Sequence, residues 1–199
     1  MYNLRQFGFS LQKYFRLGKN LKNPAKLQSD DFELLYTVAS DPLLWEQHPN
    51  KERYQRAVFE NFFKGALESK GAFVIYDADT GAVIGSSRYY DYDPATSSVL
   101  IGYTFISRDH WGSTYNQALK KLMVEYALEF VDQVYFHIGA FNIRSQRAIE
   151  KFGAVKQREI PVEYYGEQSQ PNFEYKIDKK TWTSKKLALG FIFYYFCRW

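Results

Sequence analysis

The sequence predicts an α/β fold, one domain whose mixed central sheet is covered by helices. Two observations predict it. Apolar segments of strand length alternate with longer stretches whose apolar residues recur at three-and-four spacing, in the order ααβββαβαββ, and one short strand can precede the first helix. At 199 residues, 46% hydrophobic and 19% aromatic, the chain can also bury a sizeable core, and no repeat, linker or low-complexity segment divides it.

The elements follow in order. Residues 1–23 are basic and aromatic with weak periodicity, and they read as an N-terminal extension to a domain spanning 24–180. A short strand is expected near Ala25 to Gln28. Ser29-Asp30-Asp31 then starts a helix with Leu34, Leu35, Val38 and Ala39 on one face, and Asp41-Pro42 ends it, because the residue before proline avoids the helical region. A second helix is expected from Glu52 to Ser69, with Val58, Phe59, Phe62, Phe63, Ala66 and Leu67 at helical spacing. Phe73 to Tyr76 and Val83 to Tyr92 form a hairpin about the turn at 77–81. Val99 to Ile106 is the next strand, and a third helix runs from about Thr114 to Phe130 on a stripe of Leu119, Leu122, Met123, Tyr126, Ala127 and Phe130. A strand at 133–138, a helix from Ile143 to Phe152 and two strands near Val155–Tyr164 and Phe173–Ile177 complete the domain.

Charge and cysteine content narrow the function. A net charge of +4 suits an anionic ligand, but no basic block or nucleic-acid motif stands out. Cys197 is the only cysteine, which rules out a disulfide framework and points to a reducing, cytoplasmic setting. His48, His110 and His137 have no metal-ligand spacing, so no metal is expected. Arg5, Lys13, Arg16 and Lys19 interrupt any apolar run of a leader at the start. Residues 181–199 form an apolar aromatic tail, too short to cross a membrane, which takes roughly 20 residues. It reads as a segment docked on its own chain, a homodimer contact, or a membrane-surface segment.

The chemistry concentrates between Val99 and Ala154. A strand leads into Ser107-Arg108-Asp109-His110-Trp111-Gly112-Ser113, then a helix. Such a unit aims free backbone N–H groups and the positive end of a helix dipole at one spot, which favours a phosphate. Gly112 allows close backbone approach, Thr114 with Gln117 matches a capping box, and Arg108 can add a direct contact. A tight strand-to-helix turn would use the same residues for geometry alone. Asn142, at the end of the next strand, can cap the helix that follows it.

The run from Asn142 to Ala154 (Asn-x-x-Ser-x-x-Ala-Ile-Glu-Lys-x-Gly-Ala) resembles the GNAT superfamily of N-acetyltransferases, in its ribosomal-protein-type branch. Trp111-Gly112, Asn116 to Lys120, Ile84 to Arg88 and Ile101-Gly102-Tyr103 resemble it too, and together they cover roughly Lys26 to Ile177 in the family's order. The family's phosphate loop is written Gln/Arg-x-x-Gly-x-Gly/Ala; here Asp109 opens it and Thr114 closes it, so two of three signature positions depart. The resemblance implies a GNAT-like fold in which two parallel strands splay apart near Thr104 to Ile106 and hold acetyl-CoA. Phe105, Ile106, Ser107, Arg108, Trp111, Gly112, Ser113, Thr114, Asn116, Asn142 and Ser145 are then the expected donor contacts, with Arg144, Arg147 and Lys151 near the 3′-phosphate.

The resemblance also implies transfer of an acetyl group to a primary amine: a protein N-terminus, an amino acid or a small amine. Direct attack on the thioester needs a neutral amine and a route for the proton. The glutamate many relatives use as base is Leu100 here, and their tyrosine acid is Ile149. Ser145 and Tyr103 are the substitutes first in line, with His110 and Glu150 behind them, and a backbone N–H near Phe105 or Ile106 would polarise the carbonyl. Trp45, Arg88 and Tyr90 are the candidate acceptor contacts, with Glu46, His48, Tyr89 and Asp91 nearby in sequence. The alternative is a non-catalytic GNAT-fold protein that binds acyl-CoA or docks a partner.

Overall fold

The computed structural model describes residues 21–184. The extension read over 1–23 and the tail read over 181–199 therefore lie mostly outside the described residues, as does Cys197. Seven strands form one sheet in the order β1-β2-β3-β4-β5-β7-β6. They are β1 (Leu21–Lys26), β2 (Ala72–Asp77), β3 (Val83–Asp93), β4 (Ser98–Ile106), β5 (Gln133–Gly139), β6 (Val155–Val162) and β7 (Gln170–Asp178). Helices α1 (Phe32–Ala39) and α2 (Arg56–Ser69) precede β2; α3 (Tyr115–Ala127) links β4 to β5, and α4 (Ile143–Phe152) links β5 to β6. The β4–β5 pair is parallel and its neighbours are antiparallel, so the expected mixed sheet and element order are observed.

Each face of the sheet has its own core. Leu35 and Ala39 of α1 and Phe59, Phe62 and Phe63 of α2 pack with Val74 and Phe105 on one side. Leu119 and Met123 of α3 and Ile149 of α4 pack with Ile101, Val134 and Phe136 on the other. Trp45 anchors the first core: its indole N–H donates to the Ala39 carbonyl at 2.7 Å and its ring lies 5.4 Å from that of Phe105.

Several element edges differ from the sequence expectation, each for a local reason. Ser29–Asp31 is a single 3₁₀ turn, and α1 proper begins at Phe32. The second helix does not start at Glu52: Lys51–Tyr54 is a separate 3₁₀ turn capped by the Asn50 side chain, and Gln55 is extended (φ −75°, ψ 133°) before α2 begins. α3 stops at Ala127, which leaves Phe130 beyond the helix and exposed. The capping box at Thr114 does not form, because Thr114 is itself helical (φ −79°, ψ −8°) and its side chain makes no cap bond. The Ser113 hydroxyl accepts from the Tyr115 N–H instead, at 3.4 Å. β6 ends at Val162, before Tyr164, whose hydroxyl donates to Asn172 Oδ1 at 2.7 Å.

The feature that shapes the site is where β4 and β5 part. They pair only through Ser98, Val99 and Leu100, so the splay starts at Ile101, earlier than Thr104. The cause lies on the other edge of β4. The β3–β4 register slips by one residue between Arg88↔Gly102 and Ser86↔Phe105, and Tyr103 sits there at φ +52°. An extra residue in one strand bends it and steepens its twist. The bulge thus keeps β4 on β3 while turning its free edge away from β5. Gly85 permits this closeness, since a side chain there would run into the Phe105 carbonyl.

Candidate functional site

The parted strands open a cleft of about 410 Å3. Its floor is Ile101–Ile106 and Phe136–Gly139; its walls are the loop before α3, the first two turns of α3, and α4 from Arg144 to Phe152. Its lining contains no Asp or Glu, whereas Lys120, Arg144 and Lys151 line it. An anion entering meets cations, backbone amides and no opposing carboxylate. A second, more open groove of about 700 Å3 lies between the start of α2 and the β6–β7 loop, and it carries Glu52 and Glu167. The two meet at Pro49.

The free edge of β4 offers hydrogen bonds to a ligand. The Ser107 N–H donates across to the Ile84 carbonyl at 2.8 Å. Successive residues of a strand point their peptide groups to opposite sides, so those of Ile106 face the cleft. The indole N–H of Trp111, a cleft residue, accordingly donates to the Ile106 carbonyl at 2.9 Å. Of the two amides considered for polarising a carbonyl, Ile106 rather than Phe105 has this direction.

The helix ends are built locally. Asn142 Oδ1 accepts from the Ser145 N–H at 3.1 Å, the cap expected from the sequence, and Gly153 at φ 108° ends α4. Gln146 donates to the Gly139 and Ala140 carbonyls at 3.0 and 2.9 Å and fixes the turn between β5 and α4. Gly112 adopts φ +72° with open space where a side chain would begin, as close approach of a ligand requires.

Of the residues proposed for the donor, Phe105, Ile106, Trp111, Gly112, Ser113, Asn116, Asn142 and Ser145 line the cleft, and Ser107, Arg108 and Thr114 do not. Arg108 turns away to pair with Asp41, which also caps the following turn. The Ser107 hydroxyl is held against His110 Nδ1 at 2.6 Å. Arg144 lies 3.6 Å over the Trp111 ring and pairs with Glu46 at 3.3 Å, while Arg147 is exposed outside the cleft.

The proton-transfer candidates separate by their surroundings. Ser145 lines the cleft, and its hydroxyl has no partner among the described residues. Tyr103 also lines the cleft; burial raises its phenol pKa, which keeps it a donor rather than a base. Both nitrogens of His110 are engaged, Nδ1 with Ser107 and Nε2 with Asp77 at 3.3 Å. The Asp77 carboxyl is held well below its ordinary range by the Thr80 N–H and the Tyr115 hydroxyl. Glu150 lies outside the cleft and accepts from the Tyr175 hydroxyl at 2.9 Å.

On the acceptor side, Trp45 and His48 reach the cleft. Arg88 does not: it is buried, its guanidinium lies 3.9 Å over Tyr103, and desolvation lowers its pKa to about 10. Tyr90 packs on the same Tyr103 ring at 5.0 Å and is also outside the lining. Sequence reading missed two groups. Arg53 is buried and links Glu167 to His48, and Lys120 enters the cleft from α3. Neither position carries a local signal, because nothing in sequence sets Lys120 apart from Lys121 or Arg53 apart from Lys51.

His48 supplies a pH-dependent stability. Its Nε2 accepts from Arg53 at 3.0 Å, and its Nδ1 lies 3.1 Å from the Asn50 N–H and 3.3 Å from the Asn50 carbonyl. Burial first, and then the Arg53 charge, push its pKa well below the ordinary value. The folded ring stays neutral while the unfolded one gains a proton below about pH 6.5. The unfolded state therefore binds more protons in that window, and stability falls as pH drops through it, by up to about 1.4 kcal/mol per pH unit. His137, lowered by burial as well, adds in the same direction. Urea midpoints at about pH 7.5 and about pH 5.5 measure the slope, and His48→Gln is expected to flatten it.

Comparison with known proteins agrees with this geometry. A family model described as an acetyltransferase (GNAT) domain matches residues 25–155. A GCN5-related N-acetyltransferase from Brucella melitensis superposes with a TM-score of 0.72 at 18% identity, over 86% of this chain and 81% of that one. A GNAT-family acetyltransferase from Bacillus anthracis gives 0.65 at 15% identity, over 81% and 96%. Spermidine N-acetyltransferase from Vibrio cholerae, solved with CoA and spermine, gives 0.63 at 15% identity, over 82% and 98%. No curated protein matches by sequence. Among the described residues no helix is long and apolar enough to cross a membrane, and no cluster of three or more His, Cys, Asp or Glu could hold a metal ion.

Proposed function

We propose, from the premise that this chain belongs to the GNAT acetyltransferase family, that it transfers the acetyl group of acetyl-CoA to a primary amine by direct attack. The observation that carries the reading is the cleft itself. It opens where β4 and β5 part, exposes the Ile106 peptide and is lined by cations without a carboxylate. The pantetheine amides would pair with the free edge of β4, and the pyrophosphate would meet the amides at Gly112 to Thr114. Arg144, stacked on Trp111, would supply positive charge near that end, and Lys151 lines the same cleft. The cleft residues fit such a donor.

Chemistry in the cleft is addition and elimination. The neutral amine attacks the thioester carbon, the Ile106 N–H stabilises the developing oxyanion, and collapse breaks the C–S bond. Because no carboxylate lines the cleft, the amine is expected to lose its proton before entry or to water. Ser145, with its unclaimed hydroxyl, remains a candidate partner for the sulfur. The acceptor, a protein N-terminus, an amino acid or a small amine, would approach along the Trp45–His48 side, where the second groove brings Glu52 and Glu167. A cytoplasmic location and a dimer formed through the tail are part of the same reading.

The test is calorimetric titration of acetyl-CoA into the protein and into Gly112→Trp. Micromolar binding that is lost in the folded variant supports the site, and an amine screen for CoA release then separates an enzyme from a binding protein. No binding to folded wild type would overturn the reading. The absence of a carboxylate base favours keeping the second reading, an acyl-CoA-binding protein without turnover, and CoA release decides against it.

A further inference from the structure

We propose that Lys120 is the acid of this site, giving its proton to the departing sulfur in place of the tyrosine whose position Ile149 occupies. The inference deepens the acyl-CoA reading of the cleft and rests on it.

Lys120 is placed for the role by packing. From the second turn of α3 its ammonium reaches the gap between the strands, donates to Thr104 Oγ1 at 2.9 Å and lies 5.3 Å from the Phe136 ring centre. Thr104 Oγ1 is in turn 2.7 Å from Ser87 Oγ. Phe136 and Ile149 both line the cleft and belong to the same core cluster. It pairs with no carboxylate among the described residues, and none lines the cleft. The other titratable groups of the lining, on the strands, the loops and α4, are Tyr103, His137, His48, His110, Tyr164, Arg144 and Lys151. None of them carries a negative charge at neutral pH.

A half-buried cation with one neutral partner and no counter-charge is costly, and an apolar side chain of the same length would fill the space at lower cost. The cost is returned when an anion forms beside it. In this cleft that anion is the thiolate. Burial alone brings the Lys120 pKa down to about 8, close to the ordinary thiol value of about 8.5. Donor and acceptor so matched exchange a proton readily near neutral pH.

The step balances. The amine nitrogen bonds to the carbonyl carbon, the C–S bond breaks with its electron pair on sulfur, and Nζ gives that sulfur a proton. The new amide nitrogen loses its extra proton to water. Lys120 regains one from solvent as the thiol leaves.

The decisive experiment needs no known acceptor. CoA and desulfo-CoA, which lacks the sulfur, are titrated into wild type, Lys120→Met and Lys120→Arg between about pH 6.5 and about pH 9. Wild type is expected to bind CoA at least about tenfold more tightly than desulfo-CoA above pH 8, and Lys120→Met to bind both alike. Lys120→Arg, charged but unable to release its proton in this range, should keep part of that margin. Equal binding of both ligands by wild type overturns the assignment, and needs no variant to fold. A margin kept in Lys120→Met overturns it too. Mass spectrometry showing Lys120 acetylated after incubation with acetyl-CoA would make it an acceptor instead, and also ends the proposal. Failure of wild type to bind either ligand would take down the acyl-CoA reading and this inference together, an outcome distinct from equal binding.

Discussion

Arg53→Met is expected to cost about 3–5 kcal/mol of folding stability, read as a lower urea midpoint with an unchanged slope. The guanidinium is 1% exposed. It holds Glu167 of the β6–β7 loop through Nη2 at 2.7 Å and Nε at 2.8 Å, and donates to His48 at 3.0 Å. Its charge lies 4.7 Å over Phe62 and 5.6 Å from both Trp45 and Tyr164. Methionine would fill most of the volume, so the loss is electrostatic. It leaves the Glu167 carboxylate, itself only 12% exposed, without its cation. Arg53→Met combined with Glu167→Gln should then recover part of the loss, because the stranded charge is gone. A strictly additive double variant would show that the pair is not coupled. The ring contacts around Arg53 join both grooves, so the single variant should also weaken whatever binds near His48 and Pro49.

Contacts of this range explain what the sequence could and could not disclose. α4 is legible to the residue because both of its ends are local: Asn142 caps three residues ahead, and Gly153 takes a left-handed φ that other residues adopt with difficulty. β2 and β4 were legible because each is a largely apolar run of the right length, whereas β6 is mostly polar and exposed. The splay was implied by resemblance alone, and its starting point depends on the bulge at Tyr103, a residue type that gives no hint of φ +52°. Arg88, expected as an acceptor contact, is instead a core group, which only its stacking on Phe62 and Tyr103 reveals. Lys120 and Lys121 are adjacent and alike in sequence; Thr104 and Phe136, supplied by other elements, decide which one enters the cleft. Arg53 and Glu167 are 114 residues apart, beyond any local pattern.

Trp111→Ala is expected to weaken acetyl-CoA binding by about tenfold or more while leaving the fold largely intact. Trp111 ties the two sides of the cleft mouth together. Its indole N–H fixes the end of β4 through the Ile106 carbonyl, and its ring carries Arg144, 3.6 Å away, from the start of α4. Arg144 is anchored in turn by Glu46 through its side chain and by Gln47 through its N–H. A neutral hydrogen bond contributes about 1 kcal/mol and a partly exposed cation–π contact about 0.5–1 kcal/mol or more. Losing both while the mouth must still be ordered for the donor accounts for roughly 1.4 kcal/mol or more, the tenfold expected. Trp111→Phe separates the two contributions, because it keeps a ring under Arg144 and loses only the bond to Ile106. It should therefore fall between wild type and alanine. Calorimetry with acetyl-CoA on all three proteins makes the comparison, with circular dichroism to check folding. Unchanged affinity in folded Trp111→Ala would mean that the donor does not depend on this side of the cleft, and would move the phosphate end of the site away from Gly112.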